Sequence, residues 1–173
     1  MKTIETPLKD CFIIQANKFG DERGFFMESF NQLRFSEIGI DFHVKQVNIA
    51  KSEKNVLRGL HFQTGTFAQA KLVHVIQGAV LDVVVDMRKD SPSYLKHFAF
   101  ELKKVEDFML VPRGFAHGYY TLEDNTIFQY AVDNFYAPDH EAGVMYNDPK
   151  LSIDWGNLGT PKISQKDLKH PLL

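Results

Sequence analysis

Leu57-Arg58-Gly59-Leu60-His61-Phe62-Gln63, with Lys71 eight residues further on, is the stretch on which the reading of this chain turns. It gathers a guanidinium, an imidazole and an ammonium group into one strand-and-turn segment. Residues two apart on an extended strand share a face, so His61 and Gln63 point together if the segment is extended. The same alternation pairs Lys71 with Val73 and Val75, His117 with Tyr119, and Phe128 with Tyr130. Each of these faces mixes apolar groups with one or two polar ones, which is the make-up of a ligand pocket. A second block of the same character, Pro112-Arg113-Gly114-Phe115-Ala116-His117-Gly118, lies further along.

Outward from these blocks the chain reads as short β segments separated by turn residues. The expected strands are Cys11–Ala16, His43–Ala50, Lys71–Gln77, Ala79–Met87, His97–Leu102, Phe108–Val111, His117–Leu122 and Thr126–Asp133. Gln77-Gly78 marks a hairpin break, and Asp90-Ser91-Pro92-Ser93 is a turn by composition. Helical signals are confined to about Asn31–Ile38, closed by Gly39, and to a short piece after Ser164. Many strands with little helix predict an all-β sandwich or barrel. An antiparallel jelly roll is preferred to an immunoglobulin-like sandwich, because the polar residues fall where a barrel lumen needs them.

Composition narrows the class further. The 173 residues, 44% hydrophobic with 15 Phe, suffice for one domain with a proper core, spanning residues 1–173. Twenty basic against 22 acidic residues give a formal charge of -2, so nothing electrostatic favours nucleic acid. The single cysteine, Cys11, cannot form an intrachain disulfide and reads as a small buried hydrophobe. The N-terminus lacks the apolar core of a signal peptide, and no apolar run is long enough to span a bilayer. A cytoplasmic enzyme or binding protein, without a membrane partner, is the expectation.

The two blocks resemble the paired motifs of cupins. There the first motif carries His-x-His and then a glutamate. In this chain His61-Phe62-Gln63 stands in place of His-x-His, and Lys71, with six residues between it and Gly78, takes the glutamate's place. A cation in a carboxylate slot repels a divalent metal, and glutamine substitutes poorly for imidazole. The second motif, Pro112-x-Gly114-x-x-His117, is intact. The chain therefore resembles a cupin in which a lysine replaces the metal.

The resemblance then sharpens. Gly20-Asp21-Glu22-Arg23-Gly24-Phe25-Phe26-Met27-Glu28, Gln46-Val47-Asn48, Asn55–Gln63, Ala68–Val73, Val85-Asp86-Met87-Arg88, Ser91-Pro92, Pro112–Gly118, Tyr146-Asn147-Asp148-Pro149 and Ser164-Gln165-Lys166-Asp167 form an ordered set. That set is similar to the dTDP-4-dehydrorhamnose 3,5-epimerase family, nearly end to end. The resemblance implies a homodimeric jelly roll that needs no cofactor and no metal and acts on a dTDP-4-keto-6-deoxyhexose. By it, His61 is the base, Asp167 the carboxylate that pairs with it, Lys71 the cation that stabilises an enolate oxygen, and Tyr130 the proton donor on the opposite face. Arg23 and Arg58 match pyrophosphate contacts. Glu28, Gln46 and Asn48 match polar nucleotide contacts, and Tyr136 the aromatic that stacks on thymine. His117, Glu141 and Lys166 match further binding positions. Arg23 and Glu28 are the residues expected to cross a dimer interface.

The residues alone carry plainer readings beside these. Ser164-x-x-Asp167 is a helix capping box by pattern. Lys71 reads as a solvated strand end, Tyr130 and Tyr136 as core aromatics, and Arg23 with Glu28 as a surface pair. His43, His74, His97, His140 and His170 show no constellation and read as structural or solvated. Asp82, in an apolar strand, is a candidate to orient some site group. Two alternatives stand against the double epimerase. One is an enzyme acting at C3 or C5 only, or on a related nucleotide sugar; the other is a non-catalytic sugar- or metal-binding cupin.

Overall fold

The structure, a computed structural model, describes residues 1–156 and 159–173. Its strands are β1 (Lys2–Glu5), β2 (Phe12–Gln15), β3 (Lys18–Asp21), β4 (Gly24–Met27), β5 (Gln46–Ser52), β6 (Val56–Gln63) and β7 (Lys71–Gln77). There follow β8 (Val80–Asp86), β9 (His97–Leu102), β10 (Asp107–Val111), β11 (Phe115–Thr121), β12 (Thr126–Val132), β13 (Glu141–Gly143) and β14 (Lys162–Ile163). The one α-helix among the described residues, α1 (Gln32–Glu37), is capped by Asn31, whose side chain accepts from the N–H groups of Leu33 and Arg34.

Two sheets face one another as an antiparallel jelly roll. One runs β1-β2-β10-β7-β12-β5 and the other β13-β6-β11-β8-β9, with β14 added to β6 in parallel. The outcome follows from strict alternation along the central strands. Val73 and Val75 of β7, Val80 and Val84 of β8, Phe115 and Tyr119 of β11, and Phe128 of β12 point between the sheets into one cluster. Their neighbours point outward. Leu72 and Ala131 meet Phe35 of α1 and Phe42 outside the first sheet, while Val83, Val85, Ala116 and Tyr120 meet Leu151 and Trp155 outside the second. Both sheets are thus covered on their outer faces, which is why β8 reads as an unbroken apolar run around Asp82.

The expected strands β7 and β9 match at both ends, and the neighbouring segments match within one or two residues. Segment His43–Ala50 begins as a strand only at Gln46, because β5 needs the partner strand β12, whose Val132 pairs with Gln46 at the end of the ladder. The piece after Ser164 is a single 3-10 turn, Asp167–Lys169. Six strands, β1, β3 and β4 near the N-terminus and β6, β13 and β14 around the site, are not among the expected strands. The first three are largely exposed, so they have no alternation of buried and exposed positions to read.

Between the sheets the apolar cluster fills one end. The other end opens into a cavity of about 630 Å³ lined by residues of β6, β7, β11, β12, β13, β14 and the C-terminal turn. Among the described residues no helix is long and apolar enough to cross a membrane.

Candidate active site

Strand β6 carries the most chemistry, and a break in its regular pleat makes that possible. Arg58 and His61 are three apart, so a uniform strand would send them to opposite faces. The β6–β11 register shifts between Tyr119, paired with Arg58, and His117, paired with His61. The extra residue of this bulge restores both side chains to the cavity side. Gly59, at φ +130°, lies here so close to Gly118 that an added Cβ would come within 2.5 Å of its Cα. Only glycine fits such an approach.

His61 Nε2 lies 2.9 Å from Asp167 Oδ1. An ionised carboxylate accepts only, so Nε2 is the donor and the lone pair is left on Nδ1. The other oxygen, Oδ2, accepts from the Gly59 N–H at 3.2 Å, and the Asp167 N–H donates to Ser164 Oγ at 3.1 Å. The serine supplies one half of the capping box its pattern implied; the carboxylate is spent on His61 and Gly59, and Lys166 stands at the N-cap of the turn. Burial pushes the Asp167 carboxyl up, but the His61 contact with the Gly59 and Ser164 bonds outweighs it and holds the group at about 2.

Lys71 opens β7 and Tyr130 lies on the adjacent β12, both in the sheet opposite His61. Burial lowers the Lys71 ammonium to about 8, with Asp82 and Glu141 opposing the fall. Its Nζ donates to the His61 carbonyl at 3.4 Å. Burial raises the Tyr130 phenol, so it keeps its proton at neutral pH. Arg58 donates through Nε and Nη2 to Ser52 Oγ, each at 3.2 Å.

Deeper in the cavity His117 is buried, its Nε2 3.0 Å from both oxygens of the fully buried Asp82. Desolvation lowers the His117 imidazole despite that carboxylate. At the rim, Glu141 accepts from Tyr136 Oη at 2.7 Å and pairs with Lys166 Nζ at 2.7 Å. Gln63, in the slot of a cupin metal ligand, is committed elsewhere. It donates to the carbonyls of Phe67 and Phe135 and accepts from the Ala137 N–H, which ties down the loop that carries Tyr136.

Nine of the residues singled out from the sequence meet around this cavity: His61, Lys71, Tyr130, Asp167, Arg58, His117, Tyr136, Glu141 and Lys166. Four lie apart from it. Gln46 and Asn48 bond to one another on β5, and Gln46 Oε1 accepts from the Tyr136 N–H. Arg23 pairs with Asp21 on the exposed β3–β4 hairpin, and Glu28 accepts from Asn31.

This arrangement, a carboxylate-oriented imidazole facing a phenol and a buried cation, accords with what the whole chain matches. The family model for dTDP-4-dehydrorhamnose 3,5-epimerase aligns with residues 5–173. The chain belongs to that family. The dTDP-4-dehydrorhamnose 3,5-epimerase of Salmonella typhimurium is 45% identical over 100% of this chain and 96% of its own length. The crystal structure of the Bacillus anthracis epimerase with TDP and PPi bound superposes with a TM-score of 0.96 at 44% identity, covering 99% of both chains. That of the Legionella pneumophila epimerase, in complex with dTDP-4-keto-L-rhamnose, gives 0.94 at 40%, covering 99% of this chain and 92% of that one.

Sequence reasoning missed part of what this member of the family holds at the site. Asp82 was not missed: singled out as a candidate to orient some site group, it is the partner of His117. Tyr119 presents a buried hydroxyl with no hydrogen-bond partner among the described residues and stacks on Phe128 at 4.2 Å. His170 was read as isolated, and that reading is corrected. Its ring lies edge-on to His61, with centroids 5.3 Å apart, and its Nε2 is 4.0 Å from Asp167 Oδ1. No local spacing to His61 announced it, because the contact is made across the fold.

Proposed function

We propose that the chain inverts C3 and C5 of dTDP-4-dehydro-6-deoxy-D-glucose to give dTDP-4-dehydro-L-rhamnose, through enolate intermediates. The observation that carries this is the His61–Asp167 pair on one wall, with Lys71 and Tyr130 on the other. In a 4-keto sugar both C3 and C5 are α to the carbonyl, so loss of either proton delocalises charge onto O4. His61 removes the proton through the lone pair that its bond to Asp167 leaves free, and Asp167 favours the imidazolium that results. The Lys71 ammonium, in a site that sheds water, balances the enolate oxygen and requires no cofactor for that task. Tyr130 then delivers a proton to the face opposite His61, and the centre is inverted.

Arg58 and Lys166 supply charge for the pyrophosphate, with the Arg58 guanidinium suited to two phosphate oxygens at once. Tyr136, held at the rim by Glu141 and Gln46, stacks on the base. His117 binds the sugar with the nitrogen that Asp82 does not engage. We assign Gln46 and Asn48 to the nucleotide, and Arg23 and Glu28 to the nucleotide across a homodimer interface. The β3–β4 hairpin supports this with Phe19, Phe25 and Phe26 exposed at 64%, 58% and 68%. The free, buried Cys11 suits the reducing cytoplasm as the compartment.

The test is incubation with dTDP-4-keto-6-deoxy-D-glucose in D₂O, followed by NMR. Deuterium at both C3 and C5 is the expected result. Exchange at one carbon alone assigns a single-position epimerase, and exchange at neither removes the function.

A further inference from the structure

We infer that His61, Asp167 and His170 form a site for a single transition-metal dication, Zn²⁺ above all, whose occupation silences the catalytic base. The ligand atoms of these three side chains all lie within 4.8 Å of one another. Two histidines and a carboxylate with a position left for water form a common three-ligand donor set for zinc. Bonds of about 2.1 Å place such atoms roughly 3.3 Å apart. The separations from Asp167 Oδ1, 2.9 Å to His61 Nε2 and 4.0 Å to His170 Nε2, bracket that value.

The placement is not that of a cupin metal. Of the cupin slots only His61 takes part; Gln63, Lys71 and His117 do not. The other two ligands come from the C-terminal turn, where a spacing of three puts Asp167 and His170 on one side. His170 Nε2 is buried and has no hydrogen-bond partner among the described residues. Buried polar atoms are rarely left so, and a cation between this nitrogen and the facing Asp167 carboxylate would give both a ligand bond. The ring is also given room: at Gly143, which pairs with His61 across β13 and β6, any Cβ would run into it. The segment is anchored, since the Met145 N–H donates to the Pro171 carbonyl at 2.9 Å and the Leu173 N–H to Asp148 Oδ2 at 2.6 Å.

The consequence follows from imidazole tautomers. Without metal, Nε2 carries the proton and donates it to Asp167, and Nδ1 has the free lone pair. A neutral imidazole bound to zinc through Nε2 carries its proton on Nδ1 instead. One Zn–N bond forms, the proton passes from Nε2 to Nδ1, and no proton is gained or lost by the ring. The nitrogen that accepts the substrate proton is thereby blocked. This effect on activity rests on His61 being the base; the binding of metal does not.

The experiment uses tag-free protein and two readouts. In the first, Co²⁺ is titrated as an optical stand-in for zinc, with melting temperature as the check on folding. One Co²⁺ per chain with intense tetrahedral absorption is expected. His170→Leu, and His170→Gln as a polar control, should weaken binding at least roughly tenfold, the lower bound seen when even an outer partner of a metal ligand is lost. No absorption from the native chain, or equal binding by both variants, overturns the site. In the second, Zn²⁺ should suppress deuterium exchange and EDTA should restore it, while each variant, measured against its own metal-free rate, resists zinc. Exchange unaffected at saturating Zn²⁺ overturns the silencing. A chain that binds Co²⁺ but never exchanges deuterium refutes the epimerase reading and leaves the metal site standing.

Discussion

A buried ammonium stabilises an enolate only while it is charged, and Lys71 is held at about 8 by the removal of water from around it. Its folded value lies below the ordinary lysine value, so the charged form is present below about 8 and lost as pH rises through it. We therefore expect kcat/KM to fall on the alkaline side with a midpoint near 8, read from initial rates across pH. The substrate's pyrophosphate adds negative charge to the site, so the corresponding limb in kcat should lie at higher pH. Coincident limbs would dissociate Lys71 from that titration. Tyr130 gives a second expectation. Tyr130→Phe removes the donor and leaves His61 to take a proton and return it to the same face. Inversion should fall by roughly 10²–10⁴ while deuterium exchange falls much less; equal losses would contradict a donor on the opposite wall. At this scale the sequence was readable where a side chain broke its local pattern. Lys71 in a carboxylate slot and Asp82 in an apolar strand both did so. His170 broke none, and only the fold set it beside His61.

At the scale of elements, a carboxylate organises the turn from β8 to β9. Asp86 is fully buried and accepts from Arg88 Nε and Nη2 at 2.9 and 2.8 Å, and from Ser91 and Ser93 at 2.5 and 2.6 Å. Arg88 continues outward to Asp10 and the Lys9 carbonyl, which ties this turn to the segment before β2. Asp86→Ala strips five donors, the Arg88 N–H included, of their partner and leaves a guanidinium half-buried. A loss of about 3 kcal/mol is expected, the lower end of what breaking a buried pair costs, because Arg88 keeps some water. Urea denaturation should show a lower midpoint with an unchanged slope. Here the sequence offered Ser91-Pro92 as a turn and was right about its place. That the turn is held by a buried charge was not visible: its partners Arg88, Ser91 and Ser93 lie within seven residues, but the burial of Asp86 is set by the packing around it. Likewise the alternating strands β7, β8, β9 and β12 were legible because their buried and covered faces leave a pattern. The hairpin β3–β4 buries neither face within the chain and left none.

On the scale of the whole molecule, that hairpin is where assembly is expected. Exposed Phe19, Phe25 and Phe26 are costly in water unless a second copy covers them. Phe25→Asp together with Phe26→Asp should convert a dimer to a monomer by light scattering, and should raise KM through loss of Arg23 and Glu28 from the partner's site. A native chain that is already monomeric would end this reading. What the sequence by itself determined is the class of the fold and most of the chemistry. Period-two alternation dictates which residues of a strand go inward, and the identities of His61, Lys71, Tyr130 and Asp167 carry their acid–base character wherever they are placed. What only the tertiary structure decided is which of them meet. The bulge at Gly59 returns Arg58 and His61 to one face, the C-terminal turn carries Asp167 and His170 across 106 residues of chain to His61, and Asp82 reaches His117 from the next strand. Such contacts follow from register and chain return. Those depend on the packing of the whole barrel, and no local stretch of residues encodes them.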